Sequence, residues 1–213
     1  MKYINNLNTM KNSNIELSVI LPVYNYEKFI KQNIIKLSKK IASFTDNFEI
    51  LIVNDGSSDQ TKKVLNFFKK NKRIKIINKS TNNGKGSAIR AGIQKSVGKI
   101  IIYYDCDLPY FNKLENIYKL LKKNFDFVLI TREKDKYLKI KKNNLFFIRR
   151  NFSYFFSFIS KLIIIDGFPD TQAGLKGFKK KYKHKLSKYK TNKFLFDIEI
   201  MRIAIKNKLK IKK

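Results

Sequence analysis

Short apolar runs alternate with amphipathic stretches along the first two-thirds of the chain. Leu17 to Val23 (LSVILPV) is a short apolar run, closed by Pro22 and Asn25. Glu27 to Ala42 sets Phe29, Ile30, Ile34, Leu37 and Ile41 at helical spacing, so a helix follows the first strand. A second run, Phe48 to Val53 (FEILIV), gives way to Asn54-Asp55-Gly56-Ser57-Ser58-Asp59. Ser58 or Asp59 can cap the next helix, which carries Val64, Leu65 and Phe68, because a short oxygen side chain accepts from the unpaired N–H groups of a first turn. Arg73 to Ile77 reads as a third strand, Asn82-Asn83-Gly84 as a turn and Ser87 to Val97 as a helix. Lys99 to Tyr104 reads as a fourth strand, Phe111 to Leu121 as a helix and Phe125 to Ile130 (FDFVLI) as a fifth strand.

Strands that are apolar almost throughout, rather than at every second position, are buried on both faces. Alternating with helices, they predict an α/β fold with a mainly parallel central sheet and helices on both faces. In such sheets ligands bind beyond the carboxyl ends of the strands. Those ends carry Tyr24-Asn25, Asn54-Asp55, Asn82 to Lys85, Asp105 with Asp107, and Arg132. Polar residues thus gather at one edge of the sheet, which points to a site there.

The last third reads differently. Leu145 to Ile165 is apolar, aromatic and basic, and fits one long or broken amphipathic helix. Such a helix serves as core, as a partner interface or as an interfacial membrane anchor. Asp166 to Asp170 is a loop with Gly167 and Pro169, Thr171 to Phe178 is short and contains glycine, and a Lys-rich stretch precedes a helix over Phe194 to Ile205. Residues 1–14 are polar and Asn-rich, expected to be a disordered leader, and residues 15–213 are expected to form a single domain. The leader has no apolar segment of the secretory type. No uncharged apolar run approaches the ~20 residues that span a bilayer.

Composition adds a charge imbalance: 47 Lys+Arg against 16 Asp+Glu in 213 residues, a formal +31. That favours an anionic partner, whether nucleic acid, an acidic membrane surface or a phosphorylated substrate. Lys is spread over the whole length and is abundant together with Asn, Ile, Tyr and Phe, as AT-rich codons would make it, so charge alone does not choose among these. No nucleic-acid-binding motif is recognisable, and no nucleic acid partner is expected. Cys106 is the single cysteine, which excludes an intrachain disulfide and fits a reducing compartment. His184 is the single histidine and sits among lysines as a solvated residue; with one cysteine it is too little for a zinc site.

In a chain so poor in acids, Asp105 and Asp107 stand out, one residue apart where an apolar strand surfaces. Like charges at that range repel and raise each other's pKa. A divalent metal removes the conflict: Mg²⁺ is commonly held by one or two carboxylates together with substrate phosphate oxygens. The alternative is a solvated Asp-Cys-Asp turn. Asp55 could accept from a base N–H or a ribose hydroxyl, or simply close an Asx turn. Gly84-Lys85-Gly86 resembles a phosphate-cradling loop ahead of a helix, or is a turn that glycine permits. Arg132, Arg149 and Arg150 offer planar forks suited to phosphate in a chain that otherwise uses Lys. Asp197 and Glu199 cannot share a helix face at i, i+2, so one faces the site and the other solvent or a structural Lys.

Taken together, Ser18 to Asn25, Glu49 to Thr61, Asn83-Gly84-Lys85-Gly86 and Asp105-Cys106-Asp107 resemble, in order and spacing, the inverting nucleotide-sugar glycosyltransferases of the GT-A fold, family 2 type. Asp170-Thr171-Gln172-Ala173-Gly174-Leu175-Lys176 and Phe196-Asp197-Ile198-Glu199 are similar to the dolichyl- or polyprenyl-phosphate branch, particularly its glucosyl members. The resemblance implies that Pro22, Tyr24, Asn25, Glu27, Asp55, Lys85 and Asp105 bind a UDP- or GDP-sugar. It implies Mg²⁺ or Mn²⁺ on Asp105 and Asp107, catalytic positions at Asp107, Asp170 and Asp197, and an acceptor phosphate near Arg132, Arg149, Arg150 and Gln172. The implied partners are a polyprenyl phosphate lipid and a membrane surface, with the protein cytoplasmic and peripheral.

The chain departs from the family pattern at Cys106, where a small residue is usual, at Ala173, where a Cys is common, and at Pro109, where some relatives carry Gln. Members of the family continue past the position of Lys213 into another strand and often into membrane helices, so a shortened C-terminus is expected. Membrane attachment would then come from the basic surface and the 146–165 helix, or from a partner. The rival readings are a glycosyltransferase with a sugar hydroxyl acceptor, served by Asp197 or Asp170 as base, a basic nucleic-acid-binding module, and an inactive scaffold.

Overall fold

The computed structural model describes residues 15–131, 173–193 and 195–212. In chain order these form β1 (Leu17–Val23), α1 (Glu27–Ala42), β2 (Phe48–Asp55), α2 (Thr61–Leu65), β3 (Ile74–Lys79), α3 (Lys85–Lys95), β4 (Ile100–Tyr104), α4 (Leu114–Lys123), β5 (Phe127–Leu129), β6 (Leu175–Lys179), α5 (Lys183–Leu186), α6 (Phe196–Lys206) and β7 (Ile211–Lys212). The strands make one seven-stranded sheet in the order β3-β2-β1-β4-β6-β5-β7. Six strands run alike; β6 alone is antiparallel, to both β4 and β5. The expected mainly parallel α/β architecture is present.

Burial on both faces explains the unbroken apolar runs. Along β1, Leu17, Val19, Leu21 and Val23 enter a core layer with Ile30, Ile34, Leu37 and Ile41 of α1 and with Leu114, Ile117 and Leu121 of α4. Ile20 of β1, Leu51 and Val53 of β2 and Ile101 of β4 enter the opposite layer, with Ala88, Ile89 and Ile93 of α3 and the apolar side of α6. Successive side chains of a strand point to opposite faces, so a strand covered on both reads as a nearly continuous apolar run. Each fully buried Leu or Ile contributes about 1.5–3 kcal/mol of transfer free energy.

The connections create the crevice that matters. From β1 the chain crosses by α1 to β2 on one side, while β4, reached through α3 on the other face, lies on β1's far side. The strand order therefore reverses between β1 and β4, the position where open α/β sheets bind ligands. The ladder between these two strands ends at Ile20 opposite Tyr103, whereas β1 stays paired with β2 as far as Val23 opposite Asn54. Pro22, which has no N–H to give, falls in the stretch where β1 has left β4.

Several expected boundaries move for local reasons. The third strand begins at Ile74, not Arg73, whose side chain lies over the Phe48 ring. The helix α3 starts at Lys85 rather than Ser87, because Gly84 takes φ 95 and turns the chain straight into it. Phe111–Lys113 is a 3₁₀ turn and the α-helix begins only at Leu114. The fifth strand shrinks to Phe127–Leu129. The Gly-containing segment expected over Thr171 to Phe178 is, where described, the strand β6. The leader at 1–14 and the helix expected over Leu145 to Ile165 lie outside the described residues. Among the described residues no helix is long and apolar enough to cross a membrane.

The opposite edge is held by one buried acid. Glu49, with no exposed surface, accepts from Ser18 Oγ at 2.6 Å and Val97 N–H at 2.8 Å and pairs with Lys75 at 2.8 Å. Beside it Lys180 and Lys183 donate to the carbonyls of Val97, Gln94 and Ser96, past the C-terminus of α3, where cations suit the helix dipole. Two lysine-rich cavities of about 340 and 540 Å³ open at this edge and share Lys180 and Lys181 in their walls.

Candidate active site

At the carboxyl edge the loops after β1 and β2 are locked to each other. Asn25, at φ 48, accepts through Oδ1 from Ser58 N–H at 2.9 Å and donates its own N–H to Ser57 Oγ at 2.9 Å. Glu27 Oε2 accepts from Gln60 N–H at 2.6 Å, and Asp59 returns the contact by accepting from Glu27 N–H at 3.2 Å and Thr61 N–H at 2.9 Å. Asp59 thus accepts from the first N–H of α2, but the N-cap position falls on Gln60, which makes no side-chain cap, and not on Ser58 or Asp59. Asn25 and Glu27 build the wall of the crevice, with Tyr24 half exposed at its mouth.

Asp55 is not an open carboxylate. It is 3% exposed, forms a close ion pair with Lys79, and accepts from Gly84 N–H at 2.7 Å and Asn83 N–H at 3.3 Å. Lys79 also donates to Ser87 Oγ at 2.9 Å, so β2, β3 and the entry of α3 are tied at one point. The structure therefore gives Asp55 a structural task in addition to the base-binding one expected for it, and sets the Gly84-Lys85-Gly86 loop directly beside it.

The twin acids follow β4. Asp105 donates its N–H to Gly174 O at 2.8 Å, and a Cβ on Gly174 would stand 2.3 Å from Asp105 Oδ2, so any larger residue would push that carboxylate aside. Asn33 of α1 donates to Cys106 O at 2.8 Å and holds the loop from the other side. Leu108 and Tyr110 continue it at φ 55 and 57, a backbone state that bulky residues rarely adopt and that tends to collect at functional sites. Burial, and then the charge of Asp105, raise the Asp107 carboxyl above its ordinary value. The Cys106 thiol is pushed up to about 12 by burial and by both aspartates, so it stays protonated at neutral pH. Burial and the same two charges raise the Tyr104 hydroxyl, which donates to Pro109 O at 2.7 Å.

Two lysines answer these acids. Lys85 Nζ lies 2.5 Å from Asp105 Oδ1. Its burial works to lower the ammonium's pKa, but the charges of Asp105, Asp197 and Asp107 outweigh it and hold the group above its ordinary value. Deeper, Lys176 of β6 is 1% exposed and pairs with Asp197 of α6 at 2.8 Å, while also donating to Ala173 O at 2.6 Å. Tyr103, directly opposite Lys176 in the ladder, donates to Asp197 Oδ1 at 3.2 Å. Burial pulls the Lys176 pKa down, with Asp197 opposing.

This corrects the expectation for one of the two helix acids. Asp197 does face inward, but 3% exposed and paired with a lysine it is not a free base reaching an acceptor. Glu199 is turned to the partly exposed side, as expected, and in place of a lysine side chain it accepts from the N–H groups of Lys190 and Thr191, both at 2.9 Å, and from Thr191 Oγ1 at 2.6 Å. Asp170, Gln172, Arg132, Arg149 and Arg150 lie outside the described residues. Lys176, Tyr103 and Asn33 were not singled out in sequence. The one signal for Lys176 was its place between Leu175 and Gly177-Phe178, in a strand buried over its first four positions.

Among the described residues no group of three or more His, Cys, Asp or Glu could hold a metal. Two carboxylates after a strand, one with a raised pKa and one buttressed by glycine, still fit Mg²⁺ or Mn²⁺. Such ions take one or two protein carboxylates and complete their shell with water and substrate phosphate oxygens.

A doubly covered α/β sheet whose strand order reverses beside paired acids has the architecture of the GT-A fold, and solved structures agree. Glucosyl-3-phosphoglycerate synthase from Mycobacterium tuberculosis, solved with Mn²⁺ and UDP, superposes at TM-score 0.61 with 16% identity, covering 96% of this chain and 70% of its own. A mannosyltransferase from Pyrobaculum calidifontis, solved with GDP-Man and Mn²⁺, gives 0.60 at 16% identity over 99% of this chain and 59% of its own. Residues 18–186 match the Glycosyl transferase family 2 profile, and the chain belongs to that family. It is 30% identical to the dolichyl-phosphate beta-glucosyltransferase of Dictyostelium discoideum over 91% of this chain, and 31% identical to the Homo sapiens enzyme of that name over 89%. It spans 63% of the length of each of these two relatives.

Proposed function

We propose that this protein transfers a sugar from a UDP- or GDP-sugar to a polyprenyl phosphate presented at a membrane surface, with inversion at the anomeric carbon and with a divalent metal. The observation that carries the reading is the Asp105/Asp107 pair at the β1/β4 crevice, faced by Lys85 at the start of α3. Asp105 and Asp107 would hold the Mg²⁺ or Mn²⁺. When bound, that ion neutralises charge developing on the departing nucleoside diphosphate. Lys85 and the N–H groups at the head of α3 would bind phosphate oxygens, as helix N-termini do. The Pro22-to-Asn25 loop, Glu27 and Asp55 would shape the nucleoside end of the crevice.

In the transfer itself, a phosphate oxygen of the acceptor attacks the anomeric carbon. The bond from that carbon to the nucleoside diphosphate breaks, and its electron pair leaves with the diphosphate. A lipid phosphate oxygen is already anionic near neutral pH, so little general-base help is required. The burial and pairing of Asp197 support this acceptor class over a sugar hydroxyl, which would need a carboxylate free to take a proton. The names of the relatives support it as well. Arg132, Arg149, Arg150, Gln172 and Asp170 remain the proposed acceptor side of the site.

The test is transfer of radiolabelled sugar from a panel of UDP- and GDP-sugars to undecaprenyl or dolichyl phosphate in detergent, with Mn²⁺ or Mg²⁺ supplied or chelated. Chelation is expected to stop transfer. Asp107→Ala is expected to lower kcat/KM by roughly 100-fold or more, the scale seen when a transition-state charge loses its partner. Full turnover by that variant would sink the metal assignment.

A further inference from the structure

Asp105 is claimed by two cations. It is one of the acids proposed to hold the metal, yet Lys85 Nζ sits 2.5 Å from its Oδ1. Its other oxygen is backed by Gly174 so closely that a Cβ there would come within 2.3 Å. A divalent ion approaching this carboxylate therefore competes with the Lys85 ammonium. Lys85 is held on station by its backbone: Gly84 before it is fixed by its N–H bond to Asp55 Oδ2 at 2.7 Å, and Lys85 opens an 11-residue helix. Its four-carbon stem can nonetheless swing the charge.

An ammonium released from Asp105 needs another anion, and the nearby acids do not supply one freely. Asp197 is already paired with Lys176 at 2.8 Å, and Asp107 is the second proposed metal ligand. The donor diphosphate brings negative charge into the crevice together with the metal. We propose that Lys85 is an internal counter-ion that keeps the metal's seat on Asp105 and passes to the donor diphosphate when metal and nucleotide enter together. The inference rests on the glycosyl-transfer reading of the site and adds to it an order of assembly. Metal alone meets an occupied carboxylate and binds weakly; metal with nucleoside diphosphate binds cooperatively, because each relieves what the other displaces.

The experiment reads binding, not turnover. Free Mn²⁺ is titrated by electron paramagnetic resonance against the wild-type chain, Lys85→Gln and Lys85→Arg, each alone and with saturating UDP or GDP. Thermal unfolding by circular dichroism checks that each variant folds. Wild type is expected to bind Mn²⁺ at least tenfold more weakly alone than with the nucleotide. Lys85→Gln is expected to bind Mn²⁺ alone roughly tenfold more tightly than wild type, the scale of one charge-assisted hydrogen bond removed from the carboxylate. The same variant is expected to bind nucleotide with Mn²⁺ roughly tenfold more weakly. Lys85→Arg, which keeps the charge, should stay near wild type for Mn²⁺ alone. If the wild type is cooperative but Lys85→Gln gains no affinity for Mn²⁺ alone, the counter-ion role is overturned while the donor site stands. If the wild type takes up no Mn²⁺ even with UDP or GDP, the donor reading falls and this inference with it.

Discussion

The least forgiving residue under the crevice is Lys176. Its ammonium is 1% exposed and forms an ion pair with Asp197, itself 3% exposed. Taking either charge away leaves the other buried and uncompensated, which costs about 3–5 kcal/mol in such pairs. Lys176→Met and Asp197→Asn are each expected to lower stability on that scale in urea titration. The double variant should lose less than either, because no lone charge remains. Additive losses would mean that the two groups do not depend on each other. The Lys176 Nζ bond to Ala173 O also sets the residue next to Gly174, so this pair underlies the backing of Asp105.

At the scale of elements, the same backing yields a sharper case. The turn into β6 brings Gly174 against Asp105, and Gly174→Ala would force a methyl to within 2.3 Å of Oδ2. The Gly174 carbonyl is anchored by Asp105 N–H, whereas the carboxylate is the far end of a side chain, so the acid is expected to move rather than the strand. Isothermal titration should show UDP with Mn²⁺ binding at least tenfold more weakly in Gly174→Ala, on the scale of a displaced charged ligand, with the variant still folded. Unchanged binding would show that Asp105 tolerates displacement. How far the sequence foretold these elements depends on the length of the pattern. Helix α1 and strand β1 have the bounds read from hydrophobic spacing, Glu27–Ala42 and Leu17–Val23, because their patterns are long and unbroken. Strand β6 escaped because Lys176 and Gly177 interrupt it; only Tyr103 across the ladder and Asp197 above it make a lysine acceptable there. The acids of the site were readable as rare residues at strand ends. Lys85 stood out between its two glycines, whereas Lys79 and Lys176 were harder to pick out, since any one of 47 basic residues carries little information until the fold brings it to a carboxylate.

For the whole molecule the governing quantity is the imbalance of 47 basic against 16 acidic side chains. Described surface pairs such as Lys40–Glu115 and Lys122–Glu16 are partly exposed, and pairs of that kind are worth at most about 1 kcal/mol. Repulsion among the uncompensated charges is the larger long-range effect. Salt shortens the Debye length from roughly 10 Å at about 0.1 M to roughly 3 Å at about 1 M, so it weakens that repulsion more than it costs the pairs. Thermal unfolding at pH 7 is therefore expected to shift upward between about 0.05 M and about 0.5 M NaCl. Acid sharpens the effect. Glu16 is held below its ordinary value of 4.5 first by the Tyr118 hydroxyl, and Glu199, despite burial, by its bonds to Thr191. Asp126, ordinarily 3.8, is likewise buried yet held low by Lys210 N–H and Lys181. A carboxylate with a depressed folded pKa stabilises fully above its ordinary value and loses that contribution as pH falls through the lower one. Stability should hold down to the ordinary carboxylate range and fall below it, as protonation removes both the local bonds and the scarce negative charge. Added salt should move the acid unfolding midpoint to lower pH, and Glu199→Gln should flatten the fall. A melting temperature that drops with salt at neutral pH would mean that ion pairs, not net repulsion, dominate this surface.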